Sequence, residues 1–151
     1  SGDASSTKTL YLESGECVMV IKNTDATSSS QRQSIAFLNN AGTRVGTITT
    51  TSSATGYATS SDYRLKENID YTWDATTRLK QLKPARFNFI ADDTNTLVDG
   101  FLAHEVSSVV PEAITGEKDG EEMQGIDQSK LVPLLVKTIQ EMEARITTLE
   151  G

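Results

Sequence analysis

The alternation of apolar and polar residues changes character partway along this 151-residue chain, and the change divides it into two parts. In the first part the apolar runs are short and strand-like. Leu10 to Ile21 reads as two short strands joined at Ser14-Gly15, and Ile35-Ala36-Phe37-Leu38 stops at the turn signal Asn39-Asn40-Ala41-Gly42 before Val45-Gly46-Thr47-Ile48 resumes. Thr49 to Ser60 is almost entirely Ser, Thr, Ala and Gly. Such a segment has little to bury, so it reads either as a connector or as β structure whose strand partners come from other chains.

Beyond Ser61 the pattern alternates short helices with short strands. Leu65 and Ile69 fall four apart, with Ser61 or Asp62 placed to cap a helical turn. Thr76 to Leu82 reads as a helix stopped by Pro84, and Ala85 to Ile90 as a strand with Phe87 and Phe89 on one face. A turn at Asp92–Asn95, a strand at Leu97–Ala103 and a helix at His104–Val110 ended by Pro111 follow, then an acidic loop from Gly116 to Gly125. The last stretch is the most regular. Val132, Leu135, Ile139, Met142, Ile146 and Leu149 recur at spacings of three and four, the a/d seam of a coiled coil within a helix over about 127–150. A stripe reaching the end of the sequence favours self-association over docking on its own domain. Ile at a with Leu or Met at d leans toward two strands, so the repeat does not itself specify a trimer.

Composition sharpens this picture. Only 36% of residues are hydrophobic and 6% aromatic, which is low for a chain completing its own core and points to neighbouring copies completing it. The net charge of −7 arises entirely after Ser61, because acids and bases balance before it. An acidic second half without a basic cluster argues against nucleic acid, and no apolar run has the length of a membrane span. Cys17 is the sole cysteine and has no disulfide or metal partner in the sequence. Turn chemistry accounts for Asp92 and Asp93, and with Asp99 they make no case for a metal; no cofactor motif is read. The initial Ser-Gly reads as a trimmed segment of a longer protein.

The candidate chemistry lies at the seam, Ser60-Ser61-Asp62-Tyr63-Arg64-Leu65-Lys66. One tight turn brings the Ser61 hydroxyl and the Lys66 amine together, and a Ser-Lys pair is a nucleophile and its base. Lys66 can take a proton only if burial or a nearby cation disfavours its ammonium; Arg64 and packing by Leu65 and Ile69 are the candidates for that work. Attack by Ser61 on its own carbonyl closes a four-membered ring and attack on the Ser60 carbonyl a five-membered one, so ring geometry favours the bond before Ser61.

Three separated motifs then carry a family resemblance: Ser61-Asp62-Tyr63-Arg64-Leu65-Lys66-Glu67-Asn68-Ile69, Gly100-Phe101-Leu102-Ala103-His104-Glu105-Val106, and Gly125-Ile126-Asp127-Gln128-Ser129-Lys130-Leu131-Val132-Pro133-Leu134-Leu135. In order and spacing they resemble the C-terminal intramolecular chaperone domain of phage tailspikes and tail fibres, the endosialidase-type group or peptidase family S74. The resemblance implies an α+β homotrimer: residues 1–60 as the intertwined, β-rich distal end of a fibre shaft, and 61–151 as a mixed α/β chaperone ending in the coiled-coil helix. It implies that the domain drives folding of the shaft of its own chain and then frees itself by autoproteolysis. Ser61 would be the nucleophile and Lys66 the base, with the cut at Ser61-Asp62, the family's site. Arg64, His104 and Glu105 are candidate assistants, and the a/d residues the trimer core. The implied setting is a virion tail fibre assembled in the host cytoplasm, its mature form meeting a host-surface receptor. The competing expectation is a non-cleaving trimerisation tip. A glycan-cleaving module is a third option, but it lacks a carboxylate pair in an aromatic-lined groove.

Overall fold

The computed structural model describes Ile21 and residues 32–151, arranged as two compact units, Ser1–Ile69 and Asp70–Gly151. The strands expected between Leu10 and Val20, and Cys17, lie outside the described residues. What is described is a mixed α+β chain ending in a long helix, as the sequence pattern predicts.

The described residues of unit 1 form a three-stranded antiparallel sheet in the order β1 (Arg32–Leu38), β2 (Arg44–Thr50), β3 (Thr55–Thr59). The β1–β2 turn forms where Asn-Asn-Ala-Gly predicts it. Asn39 Oδ1 accepts from the amides of Ala41 and Thr43, and Gly42 takes the positive φ of 75° that a residue with a Cβ resists. The Ser/Thr-rich segment is a strand rather than a loose connector. Its turn is built by Thr51, whose hydroxyl accepts from the amides of Ser53 and Ala54 and whose own amide donates to the Ala54 carbonyl. Pairing of Ile48 with Ile35 on one side and Tyr57 on the other puts these side chains on one face, since cross-strand partners share a face. Tyr57 and Phe37 nevertheless remain exposed, so among the described residues this sheet has no second layer of the kind sheets normally pack against.

Unit 2 has a small core of Ala75, Val106, Val109, Val110, Ala113, Leu131 and Leu134, with Trp73, Leu79, Leu82, Phe101, Ile114 and Ile126 packed around it. Helix α1 (Ala75–Leu79) starts one residue earlier and ends sooner than the spacing of Leu79 and Leu82 predicts; Leu82 still reaches the core through a following turn. Strands β4 (Ala85–Phe87) and β5 (Val98–Gly100) pair antiparallel. β4 stops before Phe89, whose ring meets Phe87 edge-on at 5.4 Å. Helix α2 (Ala103–Val106) is shorter than expected, and Pro111, read as a stop, begins a 3-10 turn over Pro111–Ala113. The acidic loop is bracketed by the two-residue strands β6 (Ile114–Thr115) and β7 (Gly125–Ile126), too short for periodicity to reveal. Gly125 packs closely there: a Cβ would lie 2.8 Å from the Thr115 hydroxyl oxygen, so a side chain at 125 requires Thr115 to shift. Asp127 then caps a 3-10 turn over Gln128–Leu131, which leads into α3 (Val132–Glu150).

Helix α3 docks on its own unit after all, but through a face beside the a/d stripe. Leu134 and Thr138 are buried, and Glu141 accepts from the amides of Ala75 and Thr76 and from the Thr76 hydroxyl at 2.6–3.0 Å. One carboxylate from 65 residues away thereby satisfies the open N-terminus of α1, while Asp74 caps the amide of Thr77. These donors, the Thr76 hydroxyl first, hold the Glu141 carboxyl below its ordinary range. At about 100° per residue this face lies roughly a quarter turn from the a/d stripe. Val132, Leu135, Ile139, Met142, Ile146 and Leu149 are all exposed.

The Thr138 hydroxyl is buried without a hydrogen-bond partner. Replacing it by a methyl of nearly the same shape removes an unsatisfied polar atom, so Thr138→Val is expected to stabilise unit 2 by about 1 kcal/mol. Urea denaturation measures this directly, and an unchanged or lower midpoint would show that the hydroxyl is satisfied in solution.

Candidate active site

The seam is anchored on both sides of Ser61. Before it, the Ser60 amide donates to the Val45 carbonyl at 3.1 Å, tying the end of β3 to β2. After it, Asp62 accepts from the Arg64 amide at 2.9 Å and caps a 3-10 turn over Tyr63–Leu65. That turn closes through Leu65 N–H to Asp62 O and Lys66 N–H to Tyr63 O, both 3.1 Å. Lys66 leaves the turn in an extended conformation, and its side chain folds back so that Nζ lies 2.9 Å from Ser61 Oγ. The structure therefore brings together the two residues that the sequence singles out, five positions apart.

Arg64 is placed differently from its expected role. Its guanidinium grips Asp62, with Nε to Oδ1 at 2.9 Å and Nη2 to Oδ2 at 2.8 Å. The pair is mutually reinforcing: Asp62 is held below the ordinary carboxylate range, chiefly by the Arg64 side chain, and Arg64 is pushed above its own ordinary value by Asp62. Arg64 is therefore not a free cation facing Lys66. Leu65 and Ile69, expected to desolvate the lysine, are themselves exposed, as are Tyr63, Ser61 and Lys66. The 2.9 Å separation fits a hydrogen bond in either direction. A lysine serving as base must be neutral and must receive a proton rather than offer one.

His104 and Glu105 belong to unit 2. His104 is exposed on α2, its carbonyl accepting from the Ser107 hydroxyl, and Glu105 pairs with Lys83 at 3.2 Å. Asp92 is consumed by turn chemistry, accepting from the amides of Thr94 and Thr96 and the Thr94 hydroxyl, and Asp99 is clamped by Arg86. Among the described residues no three His, Cys, Asp or Glu side chains converge on a point, and no helix is long and apolar enough to cross a membrane. Sequence reasoning missed Glu141 and Thr138. Glu141 reads as an ordinary charged residue beside the stripe, and only the folded path of the chain reveals its partners.

Residues 61–115 match the peptidase S74 family, described as the chaperone of endosialidase. The match begins at Ser61, takes in the Ser61–Lys66 contact and the Asp62–Arg64 clamp, and runs through α2 to the end of β6. No curated protein matches the chain.

Proposed function

With residues 61–115 a chaperone-of-endosialidase segment, we propose that this chain is the self-cleaving intramolecular chaperone of a phage tail fibre or tailspike. Three copies associate through the exposed stripe of α3, hold the β-rich shaft ends of residues 1–60 in register, and are released by autoproteolysis at Ser61. The observation that carries this reading is the 2.9 Å contact between Lys66 Nζ and Ser61 Oγ at the first residues of the family match. Interleaved shafts gain few intrachain contacts and must bring distant chains into register, so a tail that trimerises raises the local concentration of the strands. Removing it afterwards leaves the shaft without its folding nucleus and kinetically trapped. Assembly belongs in the host cytoplasm, and the mature fibre on the virion, where it meets the host surface.

In the reaction a neutral Lys66 takes the proton of the attacking hydroxyl, that oxygen adds to the peptide carbonyl, and Lys66 hands the proton to the amide nitrogen as the C–N bond breaks; where the attacker is a serine, water then hydrolyses the ester and frees the serine. We place the cut at Ser61-Asp62. Ser61 would have to close a four-membered ring to reach its own carbonyl, so the attacking oxygen there comes from a neighbouring copy's Ser61 or from water held on the dyad. The solvent exposure of Ser61 and Lys66 favours a second reading, a structural trimerisation tip that stays attached. Intact-mass measurement of the purified chain over days separates the two. Self-cleavage predicts a fragment beginning at Asp62, lost in Ser61→Ala and in Lys66→Ala; a fragment beginning at Ser61 relocates the cut, and a chain that stays whole means the tip reading.

A further inference from the structure

The apolar stripe of α3 is bordered by two flanks of different charge. With Val132, Ile139 and Ile146 at a and Leu135, Met142 and Leu149 at d, the e positions are Val136, Glu143 and Glu150, and the g positions are Leu131, Thr138 and Arg145. Leu131 and Thr138 are buried in their own unit, which closes the g flank along the docked half of the helix. Past Glu141 both flanks are open. Glu143, Arg145 and Glu150 are exposed there, and among the described residues none of the three joins an ion pair within the chain. A mostly apolar groove lined by Ala144, Arg145, Thr148 and Leu149 runs along the g side of the stripe.

A second copy laid parallel fits this pattern. In a parallel pair a g residue faces the e residue five positions further along its neighbour, so Arg145 meets Glu150 of the neighbouring copy, whose methylenes cover the groove. In an antiparallel pair g faces g and e faces e. Arg145 would then meet Leu131, Thr138 or another Arg145, none of them acidic, and the two glutamates would meet each other or Val136. Sliding one parallel copy by a heptad brings Arg145 to Glu143 instead, but leaves two of the six stripe residues in each copy without a facing layer. Charge selects the direction and apolar length the register.

We infer that Arg145 and Glu150 form an ion pair between neighbouring copies and lay the α3 helices parallel and unstaggered. This rests on the self-association proposed above and gives it a direction. The docked halves, each holding its own small core, then lie side by side at one end of the seam. A single exposed pair contributes little, and three of them around a trimer amount to about tenfold in association. The effect shrinks as salt is raised.

The test uses the full chain, and cleavage beside Ser61 does not disturb it because α3 stays whole. Copies carrying Val132→Cys and copies carrying Leu149→Cys, each with Cys17→Ser, are mixed and oxidised, and the linked peptides are identified by mass. Parallel, unstaggered helices bring equal positions within disulfide reach, so links join 132 to 132 and 149 to 149. These positions lie about 25 Å apart along one helix, so a link from 132 to 149 reports an antiparallel pair. That link, or the absence of both like-to-like links in a chain that sediments as an assembly, overturns the inference and leaves self-association standing. Sedimentation of charge variants tests the pair itself. Arg145→Glu is expected to weaken association about tenfold, and adding Glu150→Arg to return it to within about twofold of the unaltered chain. A double variant as weak as Arg145→Glu overturns the inference. An unaltered chain that sediments as a monomer overturns it too, takes the self-association reading with it, and leaves the stripe to a different protein.

Discussion

On the proposed self-cleavage reading, Ile139→Asp is expected to turn the trimer into monomers and to stop self-cleavage with it. Ile139 lies mid-helix on the stripe and is 66% exposed in the single chain, so the substitution removes little packing within the protomer. In an assembled three-helix seam, however, it would place three carboxylates against one another in a desolvated layer, at several kcal/mol each. It would also forfeit the burial of three isoleucines, about 1.5–3 kcal/mol apiece. No association resting on six apolar layers survives that change. In that reading cleavage follows assembly because Ser61 and Lys66 are in contact but solvated in one chain, with Tyr63, Leu65 and Ile69 exposed in the same segment. A further chain laid over these side chains would exclude water there, and burial disfavours a charged amine. Sedimentation reports the assembly and intact mass the cut. A monomer that still cut at the normal rate would sever the link between assembly and chemistry.

How much of this was legible beforehand depended on the range of the interactions involved. The β1–β2 hairpin was readable because Asn39 and Gly42 carry their turn chemistry locally, and the Ser61–Lys66 contact because five residues of capped turn determine it. The α3 helix was readable from its repeat. Its relation to the rest of unit 2 was not. The stripe was correctly located, but the choice between docking and association was posed as exclusive, whereas the helix presents two adjacent faces and uses Leu134, Thr138 and Glu141 for docking. Those three have no periodic signature of their own and gain meaning only against α1, 65 residues away for the Glu141–Thr76 bond. The role of Arg64 was misread for a related reason. Sequence proximity to Lys66 suggested a direct effect, but a bidentate match to Asp62 is geometrically stronger than a solvated like-charge approach.

The two faces of α3 make opposite demands on a second substitution, Leu134→Ala, which is expected to destabilise unit 2 by about 2–5 kcal/mol. Leu134 is 3% exposed and belongs to a core of seven buried residues in which Leu131 is the only other leucine. The others are valines and alanines, with little side-chain length to collapse into the space left behind, so the cavity penalty adds to the lost transfer energy. Unit 2 has the size of a domain worth roughly 4–12 kcal/mol in total, so this single truncation removes a large fraction of its stability. The comparison that isolates the docking face is Leu134→Ala made on the Ile139→Asp background, where assembly no longer contributes. There, Ile139→Asp alone is expected to leave the urea midpoint of the protomer nearly unchanged, and adding Leu134→Ala to lower it sharply with the slope preserved. A loss of only about 0.5 kcal/mol, the size of an ordinary surface substitution, would mean that α3 is held to its unit by the Glu141 cap alone and that Leu134 contributes nothing to the docking.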